Sequence, residues 1–217
     1  MSIKDNILQI QQNLKNYPNA ELMAVSKHRS LEEIQEVLKY DIKILGENRV
    51  QEAEQKFPHL NAQKHLIGHL QKNKIKKAIE MFDQIDSADS MKLITKIDQE
   101  AQKKDIIYPI LIQINISRDE NKYGFLRENF LEIIPELKKL KNINIRGLMT
   151  IPRHEEDPQK TAKYFQEMRM LYLETKNELN LQTLSMGMSQ DYKIALDHGS
   201  NLIRVGSLIF ELMIQKP

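Results

Sequence analysis

Residues 21–27, Glu21-Leu22-Met23-Ala24-Val25-Ser26-Lys27, make a short, mostly apolar run that ends in a lysine. In a barrel of parallel strands the C-terminal end of each strand faces the mouth, where the chemistry of that fold is done. An ammonium held there against a low-dielectric interior is disfavoured. Its pKa falls, and the free amine becomes a nucleophile for carbonyl carbon. By itself the stretch reads first as a strand followed by a surface lysine. Three further positions narrow the chemistry. Ser189 puts a hydroxyl at the expected start of a helix, where free backbone N–H groups favour an anion. Gly206-Ser207 combines close backbone approach with another hydroxyl, and Arg204 adds positive charge two residues earlier, for a phosphate or beside a ring nitrogen. Singly, Ser189 is a helix cap and Gly206 a turn. Together with a lysine at a strand end they suggest a phosphorylated carbonyl ligand.

Other chemistry-bearing residues form weaker patterns. His65 and His69 fall on one face of an expected strand, but no third metal ligand has a recognisable spacing, so a structural role is expected. Lys72, Lys74, Lys76 and Lys77 make a basic run at a helix start, which reads as a solvated face. Arg118 to Lys122 reads as a solvated loop with Lys122 in reach of the mouth. There is no GxGxxG, P-loop or metalloprotease motif. With no cysteine, thiolate catalysis, disulfides and cysteine metal sites are excluded. A net charge of +2, from 32 basic and 30 acidic side chains, is too balanced for nucleic acid or a membrane surface as the main partner. The N-terminal residues lack a signal-peptide core and no apolar run approaches a membrane span, so the expected location is the cytoplasm.

The elements that must position these residues alternate regularly. At 217 residues the chain suits one domain, 1–217. An amphipathic helix over 2–16 is expected first, lying across the bottom of a barrel. Strands are expected over 21–27, 42–45, 65–70, 84–88, 106–116, 145–151, 183–188 and 202–206. Helices are expected over 30–39, from 50 to near Pro58, over 71–82 and over 90–103. Pro135 should break the next helical segment. Asp157-Pro158 should open a long helix, and Ser189 should cap a short one that Gly199 ends. A last apolar turn runs toward Pro217. Such alternation argues for an α/β fold with a parallel sheet, and eight units favour closure into a (β/α)₈ TIM barrel over an open doubly wound sheet.

Read as motifs, these stretches resemble a known family. Ala24-Val25-Ser26-Lys27 resembles the lysine motif of the pyridoxal phosphate homeostasis proteins, whose barrel is similar to the N-terminal domain of alanine racemase. Gly46-Glu47-Asn48-Arg49-Val50-Gln51-Glu52, His65 to Lys74, Arg146 to Pro152, Leu184 to Ser189 and Ile203 to Phe210 match in the same order, so the resemblance covers nearly the whole chain. It implies pyridoxal 5′-phosphate (PLP) as cofactor, joined to Lys27 as a Schiff base. It further implies phosphate contacts from Ser189, Gly206 and Ser207, with Arg204 close by, Asn48 near the ring and Lys122 at the family's strand-five lysine. His28-Arg29-Ser30 departs from the more usual Thr-Lys-Pro, His69 stands where proline is frequent, and Glu211 where glycine is common.

The resemblance implies a non-catalytic carrier and regulator of vitamin B6 and amino-acid pools. Its partners would be PLP and the apo forms of PLP enzymes, and it would act as a monomer. The alternatives are a PLP-dependent racemase-like enzyme and a Schiff-base aldolase without cofactor. Racemisation needs acid/base groups on both faces of a carbanion. In alanine racemases the second base comes from an additional C-terminal domain, for which the residues after the eighth strand are too few. The carrier is therefore the expected function.

Overall fold

The structure, a computed structural model, describes residues 2–211. Helix α1 (Ile3–Leu14) opens on a capping box: Ser2 Oγ accepts the Asp5 N–H at 3.2 Å, and the Asp5 carboxylate accepts the Ser2 N–H at 3.0 Å. Strand β1 (Glu21–Val25) follows, then α2 (Leu31–Leu38), capped in the same way by Ser30 and Glu33. The alternation continues through β2 (Ile44–Glu47), α3 (Val50–Lys56), β3 (Gln63–Leu66), α4 (Ile75–Met81), β4 (Gln84–Ala88) and α5 (Met91–Lys103). It then runs through β5 (Tyr108–Ile114), α6 (Arg127–Leu137), β6 (Ile143–Thr150) and α7 (Pro158–Leu179). Last come β7 (Thr183–Ser185), α8 (Tyr192–Asp197), β8 (Leu202–Val205) and the single turn α9 (Ser207–Phe210).

All eight strands pair in parallel and the sheet closes, with Met23 of β1 opposite Arg204 of β8. The expected (β/α)₈ barrel is the fold. Parallel strands covered on both faces need apolar side chains on both. Met23, Val25, Ile44, Ile67 and Leu202 pack together inside the barrel, while Leu22, Ala24, Leu45, Ile203 and Val205 belong to the layer between sheet and helices. Among the described residues, no helix is long and apolar enough to cross a membrane.

Three expectations fail for physical reasons. Strands β1, β3, β5, β7 and β8 are shorter than the apolar runs that announce them, because the ladder ends where the barrel rim begins; β1 stops at Val25 and β3 at Leu66, whereas β4 keeps its expected range and β6 starts two residues early. Pro135 lies inside α6 instead of breaking it. It comes two residues before the helix end, where one missing hydrogen bond is tolerated because Phe130, Ile134 and Leu137 are buried on both sides of it. Helix α1 does not cross the bottom of the barrel. Asn6 Nδ2 donates to the Ile209 carbonyl, Asn13 Nδ2 to the Tyr192 hydroxyl and Gln11 Nε2 to the Tyr40 carbonyl, so α1 descends the flank between α8 and α2. Ile7 and Ile10 of α1 are buried in the main core, and α1 packs on the single-turn α9 and on α2. The expected continuation of the last turn toward Pro217 lies outside the described residues.

Candidate functional site

The last sheet-like bond on the β1 side is Ser26 N–H to the Gly46 carbonyl, at 2.8 Å. Beyond it the chain turns: Lys27 and His28 form the bend, His28 takes a left-handed conformation (φ 58°), and the Arg29 N–H returns to the Ser26 carbonyl. Lys27 is exposed at this turn. The expected desolvation is therefore absent, and burial is not what would make its amine available. Its side chain lines a cavity of about 720 Å³ at the barrel mouth.

The adjoining wall of that cavity comes from the ends of β7 and of β8, the strand paired with β1, as the lysine, Arg204, Ser189, Gly206 and Ser207 all line it. Gly187 leaves β7 with φ 94°, and Asp191 Oδ1 then accepts the Met188 N–H at 2.6 Å, closing a tight loop that presents Ser189. Burial raises the Asp191 carboxyl pKa, against the opposing pull of the Met188 amide and of Arg204. Ser189 does not cap α8, which starts at Tyr192 after an Asp191 that makes no side-chain cap. Instead Ser189 Oγ accepts two backbone N–H groups from the adjacent β8 exit, those of Gly206 and Leu208, each at 3.3 Å. Both bonds are at the long end of the usual range. Gly206 also lets the β8 exit lie against β1, since a Cβ there would stand 3.3 Å from Val25 Cβ.

Arg204 is buried on the inward face of β8, two residues below Gly206. Its guanidinium donates to Ser185 Oγ at 2.5 Å and to the Thr150 carbonyl at 2.7 Å, both neutral acceptors. Burial lowers its pKa to about 10, with Asp86 and Asp191 opposing, so it stays charged at neutral pH. Asn48 does not line this cavity. It lies in a neighbouring cleft with Arg49, Gln71 and Lys74, and its N–H donates to Glu47 Oε1. Lys122 lies between the main cavity and a second cleft.

The two histidines are separated because β3 ends at Leu66. His65 is buried, with Nδ1 at 3.2 Å from Asp86. His69 lies past the strand, bonded to Asp89 at 2.6 Å and stacked on Tyr123 with ring centroids 3.8 Å apart. Their different partners fit the structural role expected of them. Sequence reading missed the support beneath Lys27, made by Glu47, Glu52 and Lys56. Its one visible signal was an acidic residue, Glu47, at the end of an apolar strand.

The model of the alanine racemase N-terminal domain family matches residues 1–213. A pyridoxal phosphate homeostasis protein of Aquifex aeolicus is 37% identical over 88% of this chain and 86% of its own. That of Pasteurella multocida is 33% identical over 97% of both chains. The chain belongs to the pyridoxal phosphate homeostasis family. The structure of PipY from Synechococcus elongatus without PLP superposes with a TM-score of 0.90 at 33% identity, covering 96% of this chain and 100% of PipY. PipY with PLP bound superposes at 0.88 and 31% identity, with the same coverage. An alanine racemase of Clostridium difficile shares the barrel, at a TM-score of 0.77 and 17% identity over 98% of this chain and 57% of its own. That likeness concerns the fold alone.

Proposed function

We propose that this protein binds PLP covalently at Lys27 and serves cytoplasmic PLP homeostasis as a monomeric carrier, not as a catalyst. The observation that carries the reading is the convergence of the Gly206 and Leu208 N–H groups on Ser189 Oγ, at the one cavity that Lys27 also lines. An oxygen already occupies the meeting point of two donors, through long bonds. A phosphate oxygen there would make shorter, charge-assisted ones. Ser207 lines the same cavity, and Arg204, two residues before Gly206, would supply a fixed positive charge. Asn48 is left out of the contact set, because it faces another cleft. PLP, when bound, supplies an electrophilic aldehyde carbon and a ring able to stabilise a carbanion. Lys27 would hold PLP through its amine, which would condense with that carbon and give up its two hydrogens with the carbonyl oxygen as water.

Two further facts support the carrier. The curated relatives from Aquifex aeolicus and Pasteurella multocida carry a homeostasis name. Carbanion chemistry needs water excluded and a positioned acid/base pair. Lys27 is exposed, so a carbon joined to it would stay open to solvent and to a receiving protein. Borohydride reduction of the PLP-loaded protein and peptide mapping are expected to find the phosphopyridoxyl group on Lys27. Mixing with an apo PLP enzyme is expected to restore that enzyme faster than an equal amount of free PLP. Label on a different lysine alone, or turnover of an L- or D-amino acid that disappears in Lys27→Ala, would overturn the reading.

A further inference from the structure

Beneath the exposed turn at Lys27 lies a buried ionic network with no part in the cavity wall described above. Lys56 is the last residue of α3, where the helix dipole favours a cation. Its side chain is only 13% exposed, and Glu47 beside it is fully buried. The Lys56 ammonium has three acceptors for its three protons: the Ser26 carbonyl at 3.1 Å, Glu47 Oε2 at 3.4 Å and Glu52 Oε2 at 3.5 Å. Each carboxylate is tied to the chain around Lys27 or to its neighbour strand. Glu47 Oε2 accepts the Ser26 hydroxyl at 3.1 Å, and Glu47 Oε1 accepts the Asn48 N–H at 2.7 Å. Glu52 Oε2 accepts the His28 N–H at 3.1 Å. Burial alone would raise the Glu52 pKa, but the His28 amide and the Lys56 charge hold it below its ordinary value.

The two peptide groups that flank the Lys27 Cα are therefore both held from the same point. The carbonyl before it bonds Lys56 directly, and the N–H after it bonds Glu52, which Lys56 pairs. The sheet does not do this work, because the β1 ladder has ended. We propose that Lys56 is a positioning residue for Lys27: one buried ammonium, through the Ser26 carbonyl and through Glu52 to the His28 amide, sets the direction in which the exposed lysine leaves the barrel rim. The inference rests on the PLP reading above and adds to it the residue that aims the nucleophile. A long, exposed side chain has many rotamers, and holding its Cα fixed removes the backbone share of that freedom. A misplacement of about 1 Å is enough to slow a covalent step a hundredfold or so.

The test compares two ligands on the full chain. PLP needs both the phosphate cradle and an aimed amine, whereas pyridoxine 5′-phosphate has no aldehyde and needs only the cradle. In Lys56→Met and Glu52→Gln, PLP affinity and the rate of borohydride-trappable Schiff base formation are expected to fall about tenfold. Affinity for pyridoxine 5′-phosphate should stay within about twofold, as it depends on the cradle at the β7 and β8 exits, which neither Lys56 nor Glu52 touches. Lys56→Arg, which keeps the charge and the donors, should recover most of the loss. Hydrogen exchange at the His28 amide of the ligand-free protein should quicken in Glu52→Gln. Should Lys56→Met fail to fold around the buried Glu47, Glu52→Gln, at a partly exposed side chain, carries the same comparison. Equal weakening of both ligands would reduce the network to a structural tie and overturn the proposal, and so would unchanged PLP binding in folded variants. A wild-type protein that forms no Schiff base at Lys27 would instead defeat the PLP reading itself, and this inference with it.

Discussion

Ser207 and Arg204 both line the cavity, yet they are held in opposite ways. Ser207 is exposed, and its hydroxyl makes no hydrogen bond within the described residues. Arg204 is buried and donates to two elements at once. Removing the Ser207 hydroxyl therefore tests the ligand without disturbing the fold. Ser207→Ala should keep the unfolding free energy, from a urea titration, within about 0.5 kcal/mol of wild type. It should weaken PLP about tenfold, through one lost charge-assisted bond of about 1.5 kcal/mol. Equilibrium dialysis gives the affinity, and undiminished retention would remove Ser207 from the cradle. Truncating Arg204 would be a poorer probe, since it leaves the buried Ser185 hydroxyl and Thr150 carbonyl without their partner.

Among the elements, the β7 exit does the most with the fewest residues. Gly187 turns at φ 94°, and an added Cβ would stand 2.5 Å from Ala195 Cβ and 2.9 Å from Tyr192 Cα on α8. Gly187→Ala thus meets both a strained backbone and a clash. It should cost about 1–3 kcal/mol in thermal or urea unfolding and weaken pyridoxine 5′-phosphate along with PLP, because Ser189 follows two residues later. Unaltered stability would show that the loop can move aside. The caps at Ser2, Ser30, Ser90 and Asp157 were legible in the sequence because a cap is a local device, complete within one turn of chain. Ser189 was misread as another cap because its partners, the amides of Gly206 and Leu208, arrive from a different strand. Pro135 was misread because local propensity is a weak guide beside the burial of Phe130, Ile134 and Leu137.

Over the whole molecule, the carboxylates set the acid limit of stability. Lys103 holds the Glu100 pKa down, Arg118 that of Glu128 and Arg153 that of Glu155. Glu52, despite its burial, is also held below its ordinary value. A carboxylate whose folded pKa is depressed contributes stability that is complete above its unfolded pKa, here 4.5. That stability is lost as pH falls through the folded pKa. Asp191 works in the opposite sense. Its raised folded pKa favours the protonated fold, and this contribution fades as pH rises through that value. The depressed group is the more numerous, so the urea midpoint should hold from pH 7 to about pH 5 and drop steadily below about 4.5. A midpoint that rises on acidification would mean that Asp191 outweighs the rest.

The barrel was written in the sequence as a rhythm. Apolar runs with period-breaking caps between them recur eight times, and that pattern depends only on residues near one another in the chain. Lys27, Arg204, Gly206 and Ser207 could be picked out by type and position because a parallel barrel sends every strand end to one face. Three things waited for the tertiary structure. The exposure of Lys27 depends on where the β1 ladder stops, which the pairing of Val25 with Gly46 decides. The flank position of α1 is fixed by partners far along the chain, such as the Ile209 carbonyl that Asn6 bonds from 203 residues away. The tie from Lys56 to both sides of Lys27 joins α3, β2 and the β1 exit, and no spacing announces it, because hydrogen bonds between separate elements leave no period in the chain.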